Sequence, residues 1–238
     1  MDIHLRRLRA RFRISDEEER VIRGLVSGEE EYPADATVIK AMQEQHESRI
    51  LLEGIAARHK GLRNGTRQIT EVHIPGDPID LHSFTLKRLD HEIVTFSRCR
   101  LARVPHERLR AMTEIYPRLA LIYCFGTNLD AAIHREWELS LGRRQGLGRM
   151  AHLFCELYMR LDLVGLTQSL SYELPVNQTE LGECLGLTAV HVNRTLQQLR
   201  ELGHCDLRGH RVTIQDWPGL QALAEFDPCY LYLGAQTL

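Results

Sequence analysis

The stretch Gln178–Gly203, QTELGECLGLTAVHVNRTLQQLRELG, restricts this chain more than any other. Asn177-Gln178-Thr179-Glu180 has the form of a capping box, which starts a helix at Gln178. Leu181 and Leu185 share one face of it, and Gly186 ends it. Thr188 is a good N-cap for a second helix from Ala189 to about Leu202, closed by Gly203. At 100° per residue Val192, Leu196 and Leu199 point inward. The opposite face carries Val190, Arg194 and Gln197, with Glu201 below them. Two helices joined by a short glycine-containing turn make a helix-turn-helix, whose second helix enters the DNA major groove. That use explains the mixed face: an arginine bonds guanine bidentately and a valine meets a thymine methyl. His191 and Asn193 flank them. Thr188 and the N-terminus of the second helix can hold a phosphate, and Gln178 and Ala189, at the two helix starts, join the expected DNA-binding residues.

Leu207–Ile214, LRGHRVTI, reads as a hairpin centred on Gly209. A hairpin directly after the second helix is the wing of a winged helix, with Arg208 and Arg211 positioned for phosphates. Residues 143–238 carry 8 arginines, no lysine and 10 acidic residues, and the net charge of the whole chain is −2. That balance excludes a histone-like binder. Contact with double-stranded DNA must come from a few placed arginines and helix ends.

Upstream, Ser15-Asp16-Glu17-Glu18 fits another capping box, opening a helix over 16–27. Before it, Leu5, Leu8 and Phe12 share a helical face amid Arg6, Arg7, Arg9, Arg11 and Arg13, which reads either as a membrane or phosphate contact or, the simpler reading, as an apolar stripe packed on the next domain. From about 32 to 104 the apolar pieces are short and punctuated. Ile69, Val72 and Ile74 partly follow strand alternation, and Asn64-Gly65 signals a two-residue hairpin with both turn residues at positive φ. Gly76-Asp77-Pro78 makes another turn. This is the pattern of a small antiparallel barrel or jelly roll.

Pro117 starts a long helix on which Ile122, Gly126, Leu129, Ile133 and Trp137 form one stripe. A helix of about 36 Å outruns one small barrel, which points to a dimer seam along this stripe. Gly142 breaks the pattern and is the expected hinge. Beyond it Leu153, Leu157 and Leu161 mark a further helix.

No apolar run approaches a membrane span, and the longest is Leu119–Phe125. MDIHLRRLRARFRI lacks the apolar block of a secretory signal, so a cytoplasmic protein is expected. The six cysteines are dispersed, as free and mostly buried thiols are, and hold no C-x-x-C pair.

With these features in place, nearly the whole chain resembles the Crp–Fnr family of bacterial transcription regulators. TELGECLGLTAVHVNRTLQQLRELG matches its two helices and turn, with Arg194 as the exposed arginine, and LGRRQGLGRMAHLFCEL is similar to its hinge and following helix. The resemblance implies an α+β chain: a β-roll, a cyclic-nucleotide-binding-like jelly roll, with N-terminal helices over 1–116, a dimerisation helix over 117–141, and a winged helix-turn-helix over 142–238. It implies a homodimer on a palindromic promoter site, RNA polymerase as a further partner, and no enzymatic role. The departures are specific. Val190 stands where many members have a cytosine-reading glutamate. Gly76-Asp77 is followed by Pro78-Ile79-Asp80-Leu81-His82 and later by Leu89-Asp90-His91-Glu92, without the glutamate and arginine of the cyclic-AMP cassette. Lys87 and Arg88 lie before that arginine's position. The first cysteine is Cys99, so the N-terminal cluster of the oxygen-sensing branch is absent. Neither cyclic AMP nor an iron–sulfur cluster is expected, and the effector is unknown; a haem or small ligand with the same DNA output stays open.

The rival class is a metal-dependent jelly-roll enzyme drawing on His73, His82 and His91 with Glu71. Such enzymes usually place an H-x-H pair on one strand so that both imidazoles share a face. This chain has none, so no metal site is expected.

Overall fold

The computed structural model describes residues 1–237 and opens with helices α1 (Asp2–Arg9) and α2 (Asp16–Gly24). Ser15 caps α2 reciprocally: its hydroxyl accepts from the Glu18 amide, and the Glu18 carboxylate accepts from the Ser15 amide. Seven strands follow: β1 (Gly28–Tyr32), β2 (Thr37–Ile39), β3 (Glu47–Glu53), β4 (Ala56–Gly61), β5 (Arg67–His73), β6 (Glu92–Thr95) and β7 (Cys99–Pro105), with a single helical turn α3 (Ser83–Leu86) before β6. All pair antiparallel, in two sheets ordered β1-β7-β3 and β2-β6-β4-β5. Period-2 alternation sends Leu51 and Leu101 into a core with Ile39, Ile79 and Ile93. Their neighbours Ile50, Leu52, Ala102 and Val104 point the other way, against Leu5, Leu8, Phe12 and Ile22 of the N-terminal segment.

One turn differs from the sequence expectation, and one irregular strand is explained. The β4–β5 connection is not a two-residue turn: Leu62 donates its amide to Thr66 O at 2.7 Å, Gly65 donates to Leu62 O at 3.0 Å, and only Gly65 of the Asn64-Gly65 pair has positive φ, +86°. This is a three-residue loop with glycine in the left-handed position. The imperfect alternation of Ile69, Val72 and Ile74 has a physical cause. Residue pairing jumps from His59↔Ile69 to Arg58↔Glu71, so Thr70 is bulged and Ile69 and Val72 come to the same side.

Helix α4 (His106–Ile115) leads into α5 (Pro117–Arg143), 27 residues or about 40 Å long. The helix break expected at Gly142 falls two residues later. The helix runs through this exposed glycine and ends at Arg144, which turns extended (ψ 143°). Glycine weakens a helix interior by about 1 kcal/mol but does not stop it. What ends α5 is the docking of Arg144, whose guanidinium binds Glu136 at 2.7 Å and donates to Ala224 O at 3.2 Å.

The α5 stripe is also corrected. Ile122, Gly126, Leu129, Ile133 and Trp137 are all buried within this one chain. Ile122 packs with the N-terminal helices, and Leu129, Ile133 and Trp137 pack with the outer face of β5–β6 and the elements that follow. The stripe is a core face, not a free seam. The helix outruns one barrel because it packs on two bodies in succession.

After α5 come α6 (Gly146–Leu163), β8 (Ser171–Glu173), α7 (Gln178–Leu185), α8 (Ala189–Glu201), β9 (Cys205–Arg208), β10 (Arg211–Ile214), α9 (Trp217–Ala224) and a 3₁₀ turn, Pro228–Leu231. Strands β8-β10-β9 form a third antiparallel sheet. A buried polar chain ties the two halves. Asp77 accepts from Arg7 at 2.9 Å and Arg160 at 2.8 Å, Arg160 also binds Glu156 at 3.0 Å, and Glu156 accepts from Trp137 Nε1 and Tyr230. Burial would raise Asp77, but Arg160 and Arg7 hold it below the usual carboxylate range. Among the described residues no helix is long and apolar enough to cross a membrane.

Candidate nucleic-acid interface

Helices α7 and α8 form as their capping signals require. Asn177 accepts from the amides of Thr179 and Glu180, both at 2.9 Å, and Glu180 accepts from the Asn177 amide at 2.7 Å. Gly186 caps α7 with φ +61°, the left-handed conformation that favours glycine. Thr188 caps α8 by accepting from the His191 amide at 3.3 Å. The turn is tight: a Cβ on Gly182 would lie 2.5 Å from Leu187 O. Sequence reasoning missed Gly182, because nothing local distinguishes a glycine needed for close approach from one merely tolerated. It also missed the support from β5. Gln68 Nε2 donates to Glu183 O at 2.6 Å, Arg67 pairs with Glu183 at 2.8 Å, and Arg149 donates to Leu185 O. Gln68 and Arg149 cap the last carbonyls of α7 from 36 to 116 residues away, beyond the reach of any local signal.

Val192, Thr195, Leu196 and Leu199 of α8 are buried. Thr188, Ala189, Val190, His191, Asn193, Arg194 and Gln197 are exposed, as is Gln178 on α7. They are not equally free. Gln178 and Asn193 exchange two amide hydrogen bonds at 2.6 and 2.7 Å, locking α7 to α8. His191 Nδ1 lies 3.2 Å from Thr188 Oγ1, and Gln197 donates to Glu201 at 2.8 Å. Val190, 79% exposed, and Arg194 one turn later stand apart. Arg194 makes no hydrogen bond or ion pair among the described residues. An exposed methyl pair and an uncommitted guanidinium thus share one face.

The wing is a true two-residue hairpin. Arg208 pairs with Arg211, and the turn residues Gly209 and His210 both have positive φ, +54° and +64°. Its arginines are partly spent: Arg208 pairs with Asp206 at 2.7 Å, and Arg211 with Glu173 at 2.6 Å. Exposed pairs of this kind are worth about 0–1 kcal/mol, so a phosphate can displace them.

A second feature lies between the four-stranded sheet and α5: a cavity of about 730 Å³. Arg58, Lys60, His82, His91, His134 and Trp137 are on its wall. Lys87 and Arg88 are not. Lys87 lies 3.3 Å from His106 Nδ1, and Arg88 pairs with Glu44 at 3.1 Å. The cations on the wall are neutralised in place, Arg58 by Glu71 at 2.8 Å and Lys60 by Asp90 at 2.6 Å. Burial pushes Glu71 up, but Arg58, with His73 and His134, holds its carboxyl well below the carboxylate range. Burial pushes His82 down to about 3 and His91 to about 4, so both rings are neutral at physiological pH. Among the described residues no group of three or more His, Cys, Asp or Glu side chains gathers as a metal site.

A capped helix-turn-helix followed by a wing, with its outward face exposed, defines a winged-helix DNA-binding protein. Comparison with known proteins narrows this class. Residues 148–223 match the Crp-like helix-turn-helix domain. The chain is 28% identical over 175 residues to the nitrogen fixation regulation protein FixK of Azorhizobium caulinodans, covering 73% of this chain and 70% of that one. It is 28% identical over 187 residues to the transcriptional activator FnrL of Cereibacter sphaeroides, covering 77% and 74%. In fold it is similar to FixK2 from Bradyrhizobium japonicum, with a TM-score of 0.77 at 24% identity over 84% of this chain and 98% of that one. Residues 148–223 thus form a Crp-like helix-turn-helix domain, and over most of its length the chain is similar to transcription regulators of the Crp–Fnr type.

Proposed function

We propose that this regulator binds a two-fold symmetric promoter site as a homodimer, with Arg194 bonding a guanine and Val190 meeting an adjacent thymine methyl. The observation that carries this is the freedom of Arg194: the polar side chains around it, His191, Asn193 and Gln197, are engaged within the chain, and it is not among the described residues. Thr188, Ala189 and the α8 N-terminus hold the flanking phosphate, Gln178 and Asn193 act as one hydrogen-bonded unit, and Arg208 and Arg211 trade their carboxylate partners for phosphates.

The dimer forms along the face of α5 opposite the buried stripe. Leu121, Cys124, Asn128 and Ala131 recur there at three- and four-residue steps and are exposed, as is Leu139 further on. Small residues at this spacing suit close approach of two helices about a two-fold axis. Division of labour falls at Arg144–Gln145, with the roll and α5 before it and the DNA-binding unit after it. The protein works in the cytoplasm, where it contacts RNA polymerase beside its site, and the FixK-like branch of the family fits its relatives.

Selection from a random duplex library tests the reading. Recovery of inverted half-sites centred about one helical turn apart is expected. Recovery of single, unpaired half-sites would refute the dimer geometry.

A further inference from the structure

Spacing alone gives no reason to join His82 and His91, nine residues apart, yet the fold brings them together. His82 ends the loop after β5, and His91 immediately precedes β6. Their Nε2 atoms lie 3.2 Å apart on the wall of the cavity under α5. Two nitrogens bound at 2.0–2.1 Å to one tetrahedral transition-metal ion stand about 3.3–3.4 Å apart. The pair therefore already has the separation of two ligands on one ion.

The tautomers point the same way. His91 Nδ1 lies 3.1 Å from Asp90 Oδ1, so the single proton of a neutral ring sits on Nδ1, facing the carboxylate. That leaves His91 Nε2 bare and aimed at His82. A carboxylate on the far nitrogen is the usual support of a metal-bound histidine, fixing its tautomer and raising its basicity. Asp90 is itself held by Lys60 at 2.6 Å. His82 can expose its own Nε2 lone pair by carrying its proton on Nδ1, at the cost of one imidazole–imidazole hydrogen bond. Arg58 and Lys60 are paired with Glu71 and Asp90, and these carboxylates offset part of the repulsion that Arg58 exerts on positive charge at both rings. His134, on α5, lines the same cavity, but its Nε2 is 3.3 Å from Glu71 and is already engaged.

We propose that His82 and His91 form a two-imidazole site for a divalent transition-metal ion of the nitrogen-preferring kind, with Asp90 as its positioning residue. The remaining coordination positions open into the cavity, free for water or a small exogenous ligand. The proposal does not rest on DNA binding, and its test involves none.

The experiment uses the full chain, stripped with a chelator, dialysed and titrated with Co²⁺ alone. We expect one Co²⁺ per chain, with the visible bands of a low-coordinate nitrogen site. His82→Gln and His91→Gln should each abolish the bands, and Asp90→Asn should weaken binding about 10–100-fold. His210→Gln, on the wing turn, should leave them intact. Should the glutamine variants fail to fold by circular dichroism, modification of the wild-type chain by diethyl pyrocarbonate reads the same pair. Zn²⁺ should then protect His82 and His91 and leave the other histidines as reactive as before. Absence of cobalt bands, bands that persist in the folded double variant, or no selective protection would each overturn the site and leave the pair a plain hydrogen bond.

Discussion

The outward face of α8 and the apolar stripe of α5 are picked out by the same helical periodicity, yet they meet opposite fates. On α8 the periodicity separates a buried face, Val192, Leu196 and Leu199, from a solvent face whose chemistry is informative. On α5 it marks Ile122, Leu129, Ile133 and Trp137 correctly as buried, but not what buries them. Apolar contact is non-directional, and a leucine packs on its own chain as well as on a copy. A free arginine beside a valine carries a specific demand for a partner, and an apolar stripe does not. Polar faces therefore disclose function from sequence, whereas apolar faces disclose only burial.

The sharpest way to break this contrast is to place a charge on each face of α5. Ile133→Glu puts an unpaired carboxylate into the chain's own core, which should cost about 4 kcal/mol or more. Urea unfolding should show a chain that is largely unfolded, not a stable monomer. Ala131→Glu, on the exposed face, should keep its unfolding midpoint as far as the dimer itself does not stabilise the fold, and light scattering should show monomers. A folded Ile133→Glu monomer would return the seam to the buried stripe.

On the α7–α8 side, Gly182→Ala should cost about 1–3 kcal/mol, since a Cβ would meet Leu187 O at 2.5 Å and must push the turn apart. DNA affinity should fall with it, because α8 is positioned by that turn. Unchanged stability would mean that the turn tolerates opening.

Acid should act on the α5 side first. His4, whose Nε2 lies 3.2 Å from Tyr123 on α5, and His73, neither of whose ring nitrogens has a hydrogen-bond partner among the described residues, are both pushed by burial down to about 4. Their ordinary value is 6.5, so between about pH 6.5 and 4 the unfolded chain takes up protons that the folded chain refuses. Stability is held above that window and lost as pH falls through it, by up to about 1.4 kcal/mol per pH unit for each histidine. His73→Leu should flatten the slope measured by urea unfolding across this range, and an unaltered slope would show that His73 does not contribute.

The smallest expected effect is on the wing. Arg208 is already paired with Asp206, so Arg208→Ala should lower affinity for all sequences alike by under about 1 kcal/mol and reduce the salt slope by about 1. A sequence-dependent loss would make the wing a reader of bases.

Legibility followed the range of the interactions. The capping boxes at Ser15 and Asn177, the Gly186 cap and the wing hairpin were readable because each is closed by residues two to five apart. Thr70's bulge and the end of α5 at Arg144 instead of Gly142 were not, because cross-strand register and the docking of Arg144 on Ala224 decide them; the Leu62–Thr66 loop is closed locally, but Asn64-Gly65 suits a two-residue turn as well as a three-residue loop. In the candidate site, exposure of the α8 face followed from periodicity. The pairing of Gln178 with Asn193, the support from Gln68, and the meeting of His82 with His91 are products of tertiary structure and leave no local trace.

The central claim is that α8 reads bases through Arg194. Its most direct test is the binding of wild-type and Arg194→Ala protein to the selected site and to every single-base variant of it, at one fixed salt concentration. The expected result is a loss of about 1–3 kcal/mol at the selected site, together with loss of discrimination at one guanine in each half-site and retained discrimination elsewhere. An Arg194→Ala protein that kept the full preference at every position would contradict the claim, and α8 would have to be oriented differently on DNA.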